Sequence, residues 1–167
     1  MASLLTLEVI PGYTRPVVTI KDGTTCLFDT GADTPVWTQG DERLKYTFGA
    51  EKVDGKFFLL SGFGKEPELA DVYVAHDIVL KGVGKDGAAA EITFKNLVVA
   101  CTMRPAMVAD LILPATALSH MNFILRNLDV EYPVVEVEHE KDEYYVNPIY
   151  RSIDGRLVER AYSFANE

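Results

Sequence analysis

Cysteine is scarce in this sequence, with only Cys26 and Cys101 among 167 residues. They form no CxxC motif and no Cys/His spacing, which excludes a disulfide-rich scaffold and a zinc finger. Both are expected to be buried thiols in a reducing compartment. Long apolar runs are missing too: the longest candidate, 107–118, is interrupted by Asp110 and Pro114. Because about 18 apolar residues are needed to cross a bilayer, and no basic segment precedes an apolar one at the N-terminus, we expect a cytoplasmic protein without a membrane anchor.

Basic residues are also in the minority, with 16 lysines and arginines against 25 acidic residues and a net charge of −9. This balance repels phosphate groups, so neither nucleic acid nor an anionic membrane surface is an expected partner. Histidine is rare, and His76, His120 and His139 show no metal-ligand spacing. They are interpreted as surface or capping residues, and no metal site is expected. The apolar fraction of 48% is that of an ordinary folded domain.

Most of the chain reads as short apolar stretches bounded by turn signals, a pattern typical of β-strands. The pair Asp22-Gly23 favours a hairpin turn, because both residues tolerate positive φ angles. The segment 82–87 fits GxGxxG but is interpreted as another hairpin turn, since a strand pattern follows it. Leucine and methionine at helical spacing predict one helix over Ala115–Phe123, begun by Pro114. The expected strands are 4–10, 15–20, 25–28, 36–37, 56–60, 71–80, 91–101, 134–138, 144–149 and 156–162.

The strongest chemical signal is the string LFDTGADT at 27–34. Here a predicted strand ends at a carboxylate, Asp29, and would hold it rigidly. Gly31 allows a tight turn and a close backbone approach. Thr30 supplies a hydroxyl that can lock the loop by a hydrogen bond. This context favours a functional carboxylate over an ordinary Asp-Thr-Gly turn.

On these residues the chain resembles the retropepsin-like aspartic proteases, both viral and cellular. The second match is the run DLIL at 110–113, followed by ATALS and by NFIL at 122–125, where the family has an apolar run, a glycine and a short helix. The third is the glycine-containing loop 61–65, at the position of the family's flap. The resemblance implies a mainly β fold, a retropepsin-like acid protease β-barrel with one short helix, over residues 1–128. Residues 129–167 are expected to form a C-terminal β extension, packed on the same domain or at the dimer interface.

The resemblance also implies the chemistry. Enzymes of this family hydrolyse peptide bonds with two carboxylates that share a proton and activate a water molecule. A chain with one Asp-Thr-Gly motif supplies one carboxylate, so the implied active unit is a homodimer acting as an aspartic endopeptidase on a polypeptide substrate. No metal and no cofactor is implied.

Each residue of the motifs then has an implied role. The catalytic set is Asp29 as the reacting carboxylate, Thr30 as a brace across the dimer, and Gly31, whose backbone lies near Asp29. The implied substrate-binding residues line or cover the cleft: Ala32, Asp33, Ser61, Gly62, Phe63 and Gly64.

Two departures keep other functions open. Pro114 stands where the family has a glycine, and Ala115 where many viral members have an arginine. One alternative is therefore a catalytically silent retropepsin-like dimer that binds peptides or serves as an assembly module. Another is an unrelated small β-barrel that binds a ligand, with Asp29 in a plain turn. Trp37 is similar to an aromatic residue of pepsin-like relatives, but packing in the core explains it equally well.

Overall fold

The computed structural model of the chain describes residues 3–11, 15–29, 34–60, 68–104, 109–114, 121–126, 134–153 and 156–164, and side chains up to 144. Within these ranges the chain is mainly β with one short helix, as expected. The helix is α1 (Asp41–Phe48). The strands are β1 (Ser3–Leu7), β2 (Val17–Thr19), β3 (Thr25–Asp29), β4 (Val36–Trp37), β5 (Glu51–Leu60), β6 (Glu68–Gly84), β7 (Ala89–Cys101), β8 (Leu111–Pro114), β9 (Met121–Arg126), β10 (Val134–His139), β11 (Glu143–Ile153) and β12 (Arg156–Phe164).

The longest pairing is the antiparallel hairpin of β6 and β7, in register from Asp71 opposite Cys101 to Val83 opposite Ala89. Its turn is closed by the Gly84 amide, which donates to the Ala88 carbonyl at 2.9 Å. The hairpin turn predicted in 82–87 is present, but it lies at 85–88, since Gly82 to Gly84 still belong to β6.

The remaining strands extend and curl this hairpin into one twelve-stranded sheet. β6 pairs with β5 near its start and with β1 near its end, and β1 continues the sheet through β10 to β9. On the other side, β7 pairs in parallel with β4 and with β11. The hairpin of β11 and β12 reaches back to β5, so the pairings among β5, β6, β7, β11 and β12 form a closed circuit.

One aspartate in the long strand β6 shifts the alternation of buried and exposed side chains along it. Asp77 has a φ of 54°, a left-handed conformation that aspartate tolerates better than most residues. A regular strand buries residues two apart, but β6 buries Ala75 and Ile78, three apart, on either side of Asp77. The Asp77 carboxylate lies 3.2 Å from Nζ of Lys95 on β7.

The predicted position of the helix is wrong. Residues 115–120 lie outside the described residues, and Met121 to Phe123, the end of the predicted helix, belong to β9. Pairing with β10 overrides the local helical spacing, and Phe123 packs on Phe28 with ring centroids 5.3 Å apart. The helix α1 was not predicted, although Asp41 and Glu42 in its first turn suit a helix N-terminus.

The histidines are expected to be surface or capping residues, and the first alternative is wrong for His139, whose exposed fraction is 5%. Its Nδ1 lies 2.8 Å from the Lys141 carbonyl oxygen. The adjacent turn is held by the fully buried Tyr144, whose hydroxyl accepts from the amides of Glu140 and Lys141, both at 3.1 Å. The sequence of this turn is rich in charged residues and so gives no sign that a buried tyrosine holds it.

The helix in the described ranges has eight residues and falls short of the length and apolar character that a membrane-spanning helix needs.

Gly82 tests the packing of β1 on β6. A Cβ added there would collide with the Thr6 carbonyl and crowd Cα of Leu7 at 3.1 Å. Because both contacts are with backbone, we expect Gly82→Ala to lower the free energy of unfolding by about 2–3 kcal/mol in urea titrations. Gly84→Ala is the matched control, since its added Cβ would first meet a side-chain atom, the Asp86 carboxylate oxygen, at 3.2 Å, and no backbone atom closer than 3.8 Å. Equal stability of the two variants would contradict the β1–β6 packing.

Candidate active site

Two segments far apart in sequence lie side by side at the candidate site. β3 carries the first residues of the Asp-Thr-Gly string, and β8 carries the Leu-Ile-Leu-Pro run. They pair in parallel, with Cys26 opposite Leu111 and Asp29 opposite Pro114. The two strongest sequence signals are therefore neighbours in space, and Asp29 is the last residue of β3.

β8 lies between β3 and β4, in the strand order β2-β3-β8-β4-β7. It runs parallel to β3 and antiparallel to β4, where Val36 pairs with Ile112. Strands β3 and β4 are consecutive in the chain but do not pair with each other. Asp29 is the last residue of β3 and Val36 is the first residue of β4. Because β8 lies between these strands, the two residues are on opposite sides of it.

The strand that ends at Asp29 is fixed from both faces. Cys26 and Phe28, 0% and 2% exposed, face the main core, while Leu27 packs with Val17 and Ala109 in a second apolar cluster. Asp29 itself is half-buried. The result is a partly accessible carboxylate at the end of a rigid strand, the arrangement that the sequence predicted for it.

The other predicted site residues lie outside the described residues, and their roles stay predictions. They are Thr30, Gly31, Ala32, Asp33, Ser61, Gly62, Phe63 and Gly64.

The strands on either side of 61–67 form an antiparallel hairpin, with Leu60 opposite Glu68. This hairpin has an irregularity in β5, where Lys52 pairs with Tyr73 but the next paired residue, Phe57, is opposite Asp71. The Lys52 Nζ and an Asp71 carboxylate oxygen, 3.6 Å apart, bridge the irregularity. The part of the hairpin from Phe57 onward is therefore joined to the rest of the sheet through an interrupted β5–β6 ladder.

His76 joins the base of this hairpin to the sheet. Its Nδ1 faces the Asn96 side-chain oxygen at 2.7 Å and the Lys95 carbonyl at 3.3 Å, and its Nε2 faces the Glu51 carboxylate at 3.2 Å. Burial alone would lower the pKa of His76, but these hydrogen bonds outweigh it and raise the pKa above its ordinary value. Acceptors at both ring nitrogens suit the protonated ring, which donates from both.

Asp110 connects three elements around β8. Its Oδ2 accepts from the Thr25 amide at 3.0 Å, and its carbonyl accepts from the Thr38 amide at 2.9 Å. Its Oδ1 is 3.9 Å from Nη1 of Arg43 on α1. The sequence placed Asp110 only as the first residue of an apolar run, because these contacts depend on residues distant in the chain.

Trp37 fixes the start of α1 against the sheet. Its indole is fully buried, and Nε1 donates to the Gly40 carbonyl at 2.7 Å. Phe48 packs edge-on against it, with ring centroids 5.9 Å apart, and the Arg43 guanidinium lies 5.8 Å from its ring centre. Trp37 is a core residue, as one of its two interpretations proposed.

The cysteines are poor candidates for a nucleophile. Burial raises the pKa of the Cys26 thiol to about 12. Burial and the carboxylates of Asp41 and Asp71 raise the pKa of Cys101 to about 11. Because the thiolate is the reactive form, both thiols are inert near neutral pH.

A cleft of about 410 Å³ lies between the β2–β3 turn and β6 and is open to solvent. Asp29, the one predicted site residue in the described part of the chain, is not among the residues that line it. Its lining consists of Thr19, Ile20, Lys21, Asp22, Asp77, Val79 and Lys81. Among the described residues, no three histidine, cysteine or acidic side chains come together as metal ligands would.

Comparisons with protein-family models, with curated proteins and with solved structures found no match to this chain.

The hydrogen bonds of His76 predict a pH-dependent stability. Because its pKa is raised in the folded state, its contribution is fully present below the ordinary histidine pKa of about 6.5 and is lost as the pH rises through the folded value. His76→Gln should therefore flatten the loss of stability between the ordinary histidine pKa and the raised folded value, measured by urea unfolding from pH 5 to 8. Glu51→Gln should flatten it in part. An unchanged pH dependence in His76→Gln would contradict the assignment.

Trp37 predicts a second, pH-independent effect. Trp37→Phe removes the donor to the Gly40 carbonyl and part of a fully buried ring. We expect a loss of about 2–4 kcal/mol in unfolding free energy, from the unpaired carbonyl and the cavity together. Tyr46→Phe on the same helix is the control, because Tyr46 is 88% exposed. It should stay within about 0.5 kcal/mol of the parent protein.

Proposed function

We propose that this chain is an aspartic endopeptidase that acts as a homodimer, with Asp29 as its catalytic carboxylate. The observation that carries the proposal is the parallel pairing of β3 and β8, which places Asp29 opposite Pro114. The sequence resemblance rests on these two segments separately, and the pairing between them is an independent observation. Their adjacency supports a common site.

The position of Asp29 suits acid–base chemistry. A carboxylate at the end of a strand buried on both faces has little freedom, so it can be held in a productive geometry without further cost. Its half-buried state leaves it accessible to water and substrate.

A second copy of the chain supplies the second carboxylate. One Asp29 takes a proton from the attacking water, whose oxygen adds to the substrate carbonyl carbon. The partner's Asp29 gives its proton to the carbonyl oxygen. The resulting tetrahedral diol breaks its carbon–nitrogen bond as a proton passes to the leaving amine. Two identical carboxylates meet most simply across a twofold axis.

The hairpin of β5 and β6 is the proposed cover of the cleft. Beyond the irregularity at Lys52 it carries Leu59 and Leu69 directly opposite each other, 39% and 53% exposed. This apolar pair beside 61–67 suits a lid that contacts apolar parts of a polypeptide. The substrate-binding roles of Ala32, Asp33 and Ser61 to Gly64 belong to this proposal.

A catalytically silent, peptide-binding dimer is the second candidate, and Pro114 favours it. Pro114 is buried at the end of β8, opposite Asp29, and has no amide to donate at this point of the site. A site that binds an extended peptide without turnover would keep the same strands and hairpin.

Asp29→Asn separates these functions. The parent protein should cleave members of a peptide library and be inhibited by pepstatin, while Asp29→Asn should lose at least about 1,000-fold in rate, because an amide cannot act as a base. Asp22→Asn is the matched control, since it makes the same chemical change in a turn with a φ of 56°, which asparagine also tolerates. It should retain full activity.

The other possible results of these assays distinguish the three candidate functions. Cleavage by Asp29→Asn at the parent rate rules out the endopeptidase. Pepstatin or peptide binding that requires Asp29, without turnover, supports the silent dimer. No binding of either supports an unrelated ligand-binding protein. Sedimentation that shows only monomer at full activity contradicts the homodimer.

A further inference from the structure

We propose that Thr25 and Asp110 are a positioning pair that sets the register of β3 on β8 and so holds Asp29 in its reactive place. This inference rests on the proposed function, since it concerns the same carboxylate. It adds two residues for which the sequence resemblance implied no role.

The pair is reciprocal. The Thr25 amide donates to Oδ2 of Asp110 at 3.0 Å, and the Asp110 amide donates to Oγ1 of Thr25 at 3.1 Å. The Thr25 hydroxyl is also 3.4 Å from the same Oδ2. Each side chain thus satisfies the other residue's backbone amide, immediately before the ladder from Cys26 to Asp29 begins.

The far side of Asp110 is held as well. Its carbonyl accepts from the Thr38 amide at 2.9 Å and lies 3.1 Å from the Thr38 hydroxyl. Thr38 is fully buried, and Arg43 approaches the outer carboxylate oxygen of Asp110. Asp110 is therefore anchored to β4 and α1, and Thr25 is anchored to Asp110.

The ladder beyond this pair needs such a lock. β8 has four residues, and parallel pairing is slightly weaker per residue than antiparallel pairing. A slip by one residue would move Asp29 from Pro114 to Leu113 and turn the side chains of one strand to the opposite face. The reciprocal bonds are lost in any slipped register, so they select the observed one.

Thr25 acts at a distance. Asp29 lies four positions further along the strand, about 13 Å away at the usual rise per residue. It is a positioning residue and does not touch the reacting atoms. A displacement of about 1 Å at a catalytic group can cost on the order of 100-fold in rate.

Thr25→Val tests the pair, because valine keeps the shape and strand preference of threonine but has no hydroxyl. We expect kcat to fall about 10- to 100-fold at nearly constant KM. Thr25→Ser, which restores the hydroxyl, should recover kcat to within about threefold. Thr19→Val is the matched control: Thr19 is exposed and pairs with Thr25 across β2 and β3, and its variant should keep the parent kcat.

A purely structural role gives a different result. If Thr25→Val lowers the melting temperature but its folded fraction keeps the parent kcat, the positioning role is wrong. It is equally wrong if Thr25→Ser is no better than Thr25→Val.

A second readout does not need activity. In Thr25→Val, amide hydrogen exchange at Leu27 and Phe28 should accelerate more than exchange in the β6–β7 hairpin. If the parent protein proves inactive, the proposed function fails alone, and this exchange pattern still decides whether the pair sets the register. If Thr25→Val accelerates exchange equally in both regions, or in neither, the inference is overturned.

Discussion

The antiparallel ladder between β6 and β7 is the contact on which the other pairings depend. β6 offers its second edge to β5 and then to β1, while β7 offers its own to β4 and β11. The ladder is buried along much of its length, with Leu97 to Ala100 fully inaccessible. Each large apolar side chain buried in this way contributes about 1.5–3 kcal/mol, so the ladder can carry strands that are too short to be stable alone.

The candidate site is linked to this ladder through a series of short strands. β7 holds β4, β4 holds β8, and β8 holds β3, which ends at Asp29. The weakest member is β4, with only Val36 and Trp37. The buried indole of Trp37 and the bonds between Thr38 and Asp110 strengthen it from the side. The position of the carboxylate is thus set by side-chain contacts as much as by the sheet.

Local signals in the sequence were enough for much of the fold. The Asp22-Gly23 turn has φ angles of 56° and 73°, and the long strand pattern near 91–101 became β7, because both depend on neighbouring residues alone. The helix was misplaced because Met121 to Phe123 follow their pairing with β10, which no local pattern reveals. At the site, the strand before Asp29 was readable. The contact of Thr25 with Asp110 was not, since it joins residues 85 positions apart.

The placement of β1 has a consequence for biosynthesis. This strand lies between β6 and β10, so Leu5 pairs with Gly84 on one side and with Val137 on the other. A ribosome adding about 5–20 residues per second needs about 6–25 seconds to make the sequence between β1 and β10. During that interval β1 lacks its β10 neighbour, and until β6 has been made it lacks both neighbours. Completion of the sheet around β1 therefore comes late in the synthesis of this domain, and a cell that makes the chain must keep the β1 segment from pairing with other nascent chains in the meantime.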